Sequence, residues 1–508
     1  MTDPADTNAY DRVPYVGGAF AQTHPIRLAT VASLFGLDAP PPGRCRVLEL
    51  GCGNGSNLIP MADSLPGAEF VGVDLAASPV EQGNRRIARL GIPNVRLEQG
   101  DVCALDRSLG RFDYVIAHGL YSWIPPAVRP HVMRVFGELL TDDGVAYVSY
   151  NALPGCRLRH LVRDLLKAHF GSRAFEPSQI GEVRAFLADL ARLSASKDLP
   201  FLELLQREIA FVGRLPDDVL FHDDLAVESH AFLLTEVVAE AASNGLQFLG
   251  EAALAEMFTP AGFHAFDHLL ETWSGGDRVS REQHFDYVRG RRFRQTLLCR
   301  AERTLRHSPG PDQLRMMHLR SRLTPEDGAT LHDRQVARFG GEDRGAQVDE
   351  PIVKVALVHL AQAYPATIGF EPLLRASLAE CTAHGAVYEQ EPAAHALAAL
   401  CWSMVRVDLV EPFRDPLLPP PAPGERPLLR PLLADALRHD ILLTTPVNGA
   451  FQLEDATARR IALAMDGERD LAALVTLAQT LDPRGADAVE SRLQGLIGYL
   501  RANGAFAA

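Results

Sequence analysis

The stretch VLELGCGNGSN, Val47 to Asn57, decides how this chain is read. A short apolar run stops abruptly at three alternating glycines, Gly51, Gly53 and Gly55. Glycine tolerates positive φ and lets a backbone come close to another group. A strand that ends in such a turn is therefore a ligand-binding junction. Working outward, "RVLEL" (46–50), "EFVGVDL" (69–75), "VRLEQGD" (95–101), "FDYVIAH" (112–118) and "VAYVSYN" (145–151) read as five strands. Helical periodicity near 56–64, 78–90 and 126–140 separates most of them, and the third and fourth are joined by a short connection. This rhythm predicts an α/β fold: a doubly wound parallel sheet with ligands at the carboxyl ends of its strands.

Asp11 to Leu37 reads as a helical lead-in that carries Tyr15 and His24. Beyond Asn151 the apolar spacing is mostly near 3.6. Two further strands are expected at the end of 230–252 and at "FRQTLLCR" (293–300), completing a seven-stranded sheet with helical insertions at about 157–220 and 251–290. On this reading residues 1–305 form one domain with an N-terminal helical lid over 1–44. Residues 306–425 form a helical middle domain, and 426–508, after the proline-rich "RDPLLPPPAPGERPLLRP", a winged-helix-like one with two short strands and three helices.

The 508 residues are too many for one core, and 47% hydrophobic with 22% charged side chains is a globular composition. A formal net charge of −14 argues against a nucleic-acid partner held by bulk electrostatics. Seven widely spaced cysteines without a CxxC pair predict reduced thiols rather than a zinc or disulfide framework. The polar start "MTDPADTNAY" is not a signal peptide, and no apolar run spans a membrane, so a cytoplasmic location is expected. No His, Asp or Glu set calls for a metal.

The turn discriminates among ligands. A mononucleotide loop requires GxxxxGK, and no Lys follows Gly55. A dinucleotide loop requires GxGxxG, but Ser56 stands where the third Gly belongs. Glu49, inside the last turn of the strand, would repel a pyrophosphate, whereas it suits a ligand carrying an ammonium and a sulfonium. S-adenosylmethionine is such a ligand. Asp74 ends the second strand, 19 residues beyond Gly55, where a carboxylate accepts from ribose hydroxyls; Leu75 follows it. Asp101 ends the third, where a carboxylate accepts from an adenine amine beside Val102. Glu49, Gly51, Gly53, Asn54, Gly55, Asp74, Leu75, Asp101, Val102, His118 and the lid residue Tyr15 are the expected donor-binding set.

These segments, with "YDRVPYVGGAFAQTHPIRLATVASLFGL", "HGLYSWIP", "GVAYVSYNALPGC" and "RRFRQTLLCR", resemble class I methyltransferases that carry a methyltransferase regulatory domain. The resemblance extends to rickettsial-type protein lysine methyltransferases and covers roughly residues 10–305. It implies a Rossmann-like seven-stranded sheet, S-adenosylmethionine as donor, S-adenosylhomocysteine as product, and a protein substrate.

The acceptor is read from the fourth strand end. The [DNS]PPY signature of base-amine methylation is missing from "AHGLYSW", and no nucleophilic Cys stands there. His118, Tyr121, Trp123 and Asn151 are the candidate catalytic and acceptor-facing residues. Aromatic faces suit a cationic amine. The leading expectation is N-methylation of protein lysine. The rivals are a small-molecule O- or N-methyltransferase and a scaffold that binds the donor without turnover.

Overall fold

The computed structural model describes residues 17–171, 175–193, 200–259, 264–340, 344–481 and 486–507. Its central sheet contains β1 (Arg46–Leu50), β2 (Glu69–Asp74), β3 (Val95–Gln99), β4 (Phe112–Ala117), β5 (Leu140–Ala152), β6 (Leu246–Glu251) and β7 (Phe293–Arg300). The spatial order is β3-β2-β1-β4-β5-β7-β6. The first five strands run parallel, and β7 is antiparallel to both its neighbours. A two-residue strand, Ala231–Phe232, adds in parallel to the end of β5. The seven-stranded α/β sheet expected from the sequence is therefore present, with β5 starting five residues earlier than its apolar core.

Alternation along each strand sends side chains to two cores. Val47, Tyr114 and Tyr147 enter one, while Leu48, Val115 and Val148 enter the other. The first core is covered by α1 (Pro25–Leu34), which buries Leu28, Val31 and Leu34. Pro25 opens this helix, and the His24 ring accepts from the Ile26 N–H at 3.2 Å as its cap. Among the described residues the α-helix of the lead-in begins at Pro25, where a proline at N1 and a side-chain cap fix its start, and residues 11–16 of the expected lead-in lie outside them. The second core is covered by α4 (Arg129–Leu139). Between strands lie α2 (Leu58–Ser64) and α3 (Ala77–Leu90), the latter stopped by left-handed Gly91.

The expected insertion is helical: α5 (Arg157–Phe170), α6 (Ile180–Ala191) and α7 (Pro200–Val212) share a small core of Val162, Leu166, Val183, Leu187 and Ile209. After β6 come α8 (His264–Ser274) and α9 (Arg278–Arg289). Fully buried Arg294 on β7 forks onto Asp286 of α9 at 2.8 Å through two nitrogens and reaches Glu251 of β6 at 2.5 Å. This ties the last two strands to the helix between them.

From Leu305 to Val410 the buried side chains continue the first core without a break. Three helices, Pro351–Ala363, Phe370–Ala383 and Gln390–Val405, were legible as a helical unit. Two three-stranded antiparallel sheets accompany them, built from strands of two to four residues. Runs that short carry no alternation to read.

Residues 429–506 surround a core of their own, formed by helices Pro431–Arg438, Ala456–Leu463, Leu471–Leu481 and Ala486–Ala502 and a two-stranded ladder. All seven cysteines are free, and no helix among the described residues is long and apolar enough to cross a membrane.

Candidate active site

The carboxyl ends of β1 to β5 open into a cleft of about 1360 Å³. Its floor is the glycine turn. Gly51, Gly53 and Gly55 have φ of +71°, +54° and +74°, which no L side chain adopts readily. A Cβ at Gly53 would meet nothing within 4 Å, so the bare backbone faces open space. At Gly55 a Cβ would lie 2.9 Å from Leu97 Cδ1, and this glycine does not line the cleft. The turn is tied to β2: the Gly51 N–H donates to the Val73 carbonyl at 2.8 Å, and the Gly53 N–H to Asp74 Oδ2 at 2.8 Å. Asp74 Oδ1 also accepts from the Ala76 N–H at 2.8 Å, so the carboxylate spans two loops.

Glu49 is 3% exposed and lines the cleft. Its Oε1 accepts from Asn57 Nδ2 at 2.7 Å, while its buried Oε2 has no hydrogen-bond partner among the described residues. Burial pushes this carboxyl up to about 8; the Asn57 bond opposes that and Asp74 adds to it. A ligand ammonium would satisfy the orphaned oxygen and favour the ionised form. Asn54, Leu75, Asp101 and Val102 line the same cavity, and Asp101 holds its strand end by accepting from the Cys103 N–H at 2.8 Å. The residues present therefore fit a donor with an ammonium, a ribose diol and an adenine.

His118 lies at the junction with the other half of the cleft. Its Nδ1 is 2.9 Å from the Tyr147 hydroxyl, and its ring centroid is 3.8 Å from that of Phe20. Burial pushes the imidazole down to about 4, so it is neutral at pH 7. Trp123 and Asn151 line the cleft. Tyr121 does not: it is fully buried, its ring against Phe232 and its hydroxyl on Glu240. "HGLYSWIP" turns between Tyr121 and Trp123, so one aromatic faces the core and the other the cavity. His24 is buried under the sheet as the α1 cap, with burial pushing it down to about 3. Tyr15 lies outside the described residues.

The far half of the cleft is built by the helical insertion and the start of β7. Arg159 of α5, Phe211 of α7, Asp223 of the turn Leu220–Asp224, and Arg292 and Phe293 at the start of β7 all line it. Arg159 forks onto Asp224 at 2.8 Å through two nitrogens, and Arg163 donates to the Asp223, Asp224 and Ala226 carbonyls. These arginines fix the turn that presents Asp223. Burial pushes the Asp223 carboxyl up to about 6, against the pull of Arg159. Phe20 and Asn57 were missed: each stands inside a quoted stretch, but only the fold shows that they meet at the glycine turn.

Residues 47–144 match the family model described as "Methyltransferase domain", and residues 216–300 match "Predicted methyltransferase regulatory domain". The chain is 34% identical over 322 residues to uncharacterized protein RP789 of Rickettsia prowazekii, covering 63% of this chain and 58% of that one. It is 33% identical over 217 residues to uncharacterized protein RP028 of the same organism, covering 43% of this chain and 87% of that one. It thus spans less than two thirds of RP789 and most of RP028. The solved structure of PKMT2 from Rickettsia typhi in complex with AdoHcy superimposes with a TM-score of 0.86 at 23% identity, covering 97% of this chain and 100% of that one, which shows a shared fold. The glycine turn, the sheet order and these matches converge: the chain belongs to the family of class I S-adenosylmethionine-dependent methyltransferases that carry a methyltransferase regulatory domain.

Proposed function

We propose that the protein transfers a methyl group from S-adenosylmethionine to the ε-amine of a lysine in a protein substrate. The observation that carries this reading is the pairing, in one cleft, of an orphaned Glu49 oxygen at the donor end with the Asp223 carboxylate and the aromatic side chains of Trp123 and Phe293 at the other. S-adenosylmethionine supplies a sulfonium-activated methyl group. The protein's part is to align the acceptor and keep the junction dry.

A lysine side chain is a cation with a free pKa of about 10.4, so an acceptor site must attract it charged and then favour its neutral form. Asp223, which also accepts from Arg159 at 3.3 Å, attracts the ammonium, and Trp123 and Phe293 offer it aromatic surface. Deeper in, burial disfavours the charged form. His118, pushed down to about 4, is a poor proton acceptor for such an amine. Its place between Phe20 and Tyr147 suits it to shaping the junction instead. Asn151, 6% exposed at the end of β5, presents an amide to the same junction. The sequence resemblance to rickettsial-type protein lysine methyltransferases supports the same acceptor, and the PKMT2 fold match is consistent with it.

The test is transfer of a tritiated methyl group. The protein is incubated with labelled S-adenosylmethionine and cell lysate, and protein, nucleic-acid and small-molecule fractions are counted. Label recovered from protein as methyl-lysine is the expected result. Label confined to small molecules in undialysed lysate would replace it with a metabolite acceptor. Donor binding with no transfer to any fraction would replace it with a binding scaffold.

A further inference from the structure

The C-terminal unit reaches into the donor site. Leu443–Thr444 and Ala450–Phe451 are joined by a tight turn in which the Asn448 N–H donates to the Thr445 carbonyl at 3.0 Å. Asn448 has φ +57°, a conformation asparagine tolerates better than most residues. Its side chain is 1% exposed and points away from its own unit. Nδ2 donates to the Asn57 carbonyl and to Asn57 Oδ1, both at 3.0 Å, across 391 residues of sequence.

Asn57 is a hub. Its Oδ1 accepts from the Phe20 N–H at 3.0 Å as well as from Asn448. Its Nδ2 donates to Glu49 Oε1 at 2.7 Å and to Thr23 Oγ1 at 3.0 Å. The Phe20 backbone N–H can only donate, so the atom facing it must be oxygen and the Nδ2 must face Glu49. The same logic orients Asn448. Flipped, its oxygen would oppose two acceptors. As it stands, its Oδ1 is buried without a partner. The side chain is thus oriented for its two donors, which lock the Asn57 amide in the one sense that supports Glu49. We infer that Asn448 is a positioning residue of the donor site, acting through Asn57 on Glu49, so that the C-terminal unit sets the affinity for S-adenosylmethionine. This inference rests on the donor-site reading above.

The surrounding ion pairs fix the unit in register with this contact. Arg430 pairs with Asp63 of α2, the helix that Asn57 precedes. Asp435 pairs with Arg86 at 3.0 Å and Arg89 at 2.7 Å, both on α3. Asp74 is the ionisable group that acts on Glu49, and Glu49 in turn raises the Cys52 thiol and the Tyr147 phenol beside it. None of them belongs to the C-terminal unit, so that unit influences Glu49 through the Asn57 amide.

The experiment is calorimetric titration of S-adenosylmethionine into the full chain between pH 6.5 and 9. It compares wild type, Asn448→Gly, Asn448→Asp and Arg89→Ala. Glycine suits the left-handed turn and removes only the side chain. Aspartate keeps the shape but turns an oxygen toward two acceptors. Arg89→Ala loosens the same interface away from Asn57 and leaves the Arg86 pair in place. We expect about tenfold weaker binding in Asn448→Gly and at least that in Asn448→Asp, with Arg89→Ala within threefold of wild type. The midpoint of the rise in affinity with pH moves upward in Asn448→Gly, because Glu49 loses a fixed donor. Affinity within threefold of wild type and an unmoved midpoint in Asn448→Gly would overturn the inference, as would equal weakening in Arg89→Ala. Failure of wild type itself to bind would instead remove the donor-site reading, and this inference with it.

Discussion

Glu49 is held in the fold against its own charge. A carboxyl with an unfolded value of 4.5, pushed up to about 8 in the fold, keeps its proton over a range where the unfolded chain has released it. The sign follows directly. Below pH 4.5 both states are protonated and nothing is lost; between 4.5 and 8 the donor-free fold loses stability as pH rises. At pH 7 the cost is up to roughly 3 kcal/mol. Glu49→Gln should therefore raise the melting temperature of donor-free protein at pH 8 but not at pH 4. It should weaken S-adenosylmethionine binding by at least tenfold and abolish its rise with pH; calorimetry and thermal melts across pH check both. Asp223 carries the matching prediction at the acceptor end. Its carboxyl, pushed up to about 6, is ionised above that pH and loses its attraction for an ammonium below it. Wild-type kcat/KM for a lysine acceptor should fall through an acid limb near pH 6. In Asp223→Asn that limb should vanish, with kcat/KM lowered about tenfold to a hundredfold at pH 8, while Arg159 keeps Asp224 and the turn stays folded. Glu49 was legible in the sequence because it stands inside a motif. Asp223 was not, because its meaning comes from the cleft it faces.

The glycine turn works as an element only because α3 lies directly on it. In Gly51-x-Gly53-x-x-Ser56 the third glycine that brings a helix close in dinucleotide folds is replaced by serine. The fold supplies that close approach from the helix side. A Cβ at Gly83 of α3 would stand 2.3 Å from Leu97 Cδ1 and 2.5 Å from the Asn54 carbonyl oxygen. The second obstacle is backbone and cannot swing aside. Gly83→Ala must therefore lift the helix off the turn, at a cost of about 1–3 kcal/mol from overpacking. The expected outcome is a lower denaturation midpoint together with weaker donor binding, read by urea melts and calorimetry. Unchanged binding in a destabilised variant would mean that the turn holds its shape without the helix. The strands were legible to within a residue or two because their apolar runs are bounded by turn signals; β5 departed because its first five residues, "LTDDG", carry no apolar alternation and only Leu140 pairs with β4 before the register shifts. A glycine in the middle of a helix reads from sequence only as a weak helix residue.

At the scale of the whole molecule, the sequence showed that the chain has several parts but not how they meet. The proline-rich 414–431 segment reads as a spacer, yet the unit beyond it is seated on α2 and α3 by charges hundreds of residues away. The decisive group is Asp435, 4% exposed. Burial alone would raise its carboxyl, but hydrogen bonds from Arg89 and Arg86 outweigh that and hold it below its ordinary value of 3.8. A depressed carboxyl contributes stability above pH 3.8 that is lost only as pH falls through the lower folded value, so the seat is intact across the neutral range. Asp435→Ala leaves Arg86 buried without its carboxylate, which costs about 3–5 kcal/mol. What then holds the unit is the partly buried Arg430–Asp63 pair and the two Asn448 hydrogen bonds. The expected result is release of the C-terminal unit without unfolding of the sheet. Limited proteolysis should cut faster between Leu417 and Arg426, and donor affinity should fall in parallel, because Asn448 leaves with the unit. Asn448→Gly should separate the two readouts, weakening the donor while cleavage stays at the wild-type rate. Faster cleavage in Asp435→Ala with donor affinity unchanged would mean that the unit docks on the donor site without contributing to it.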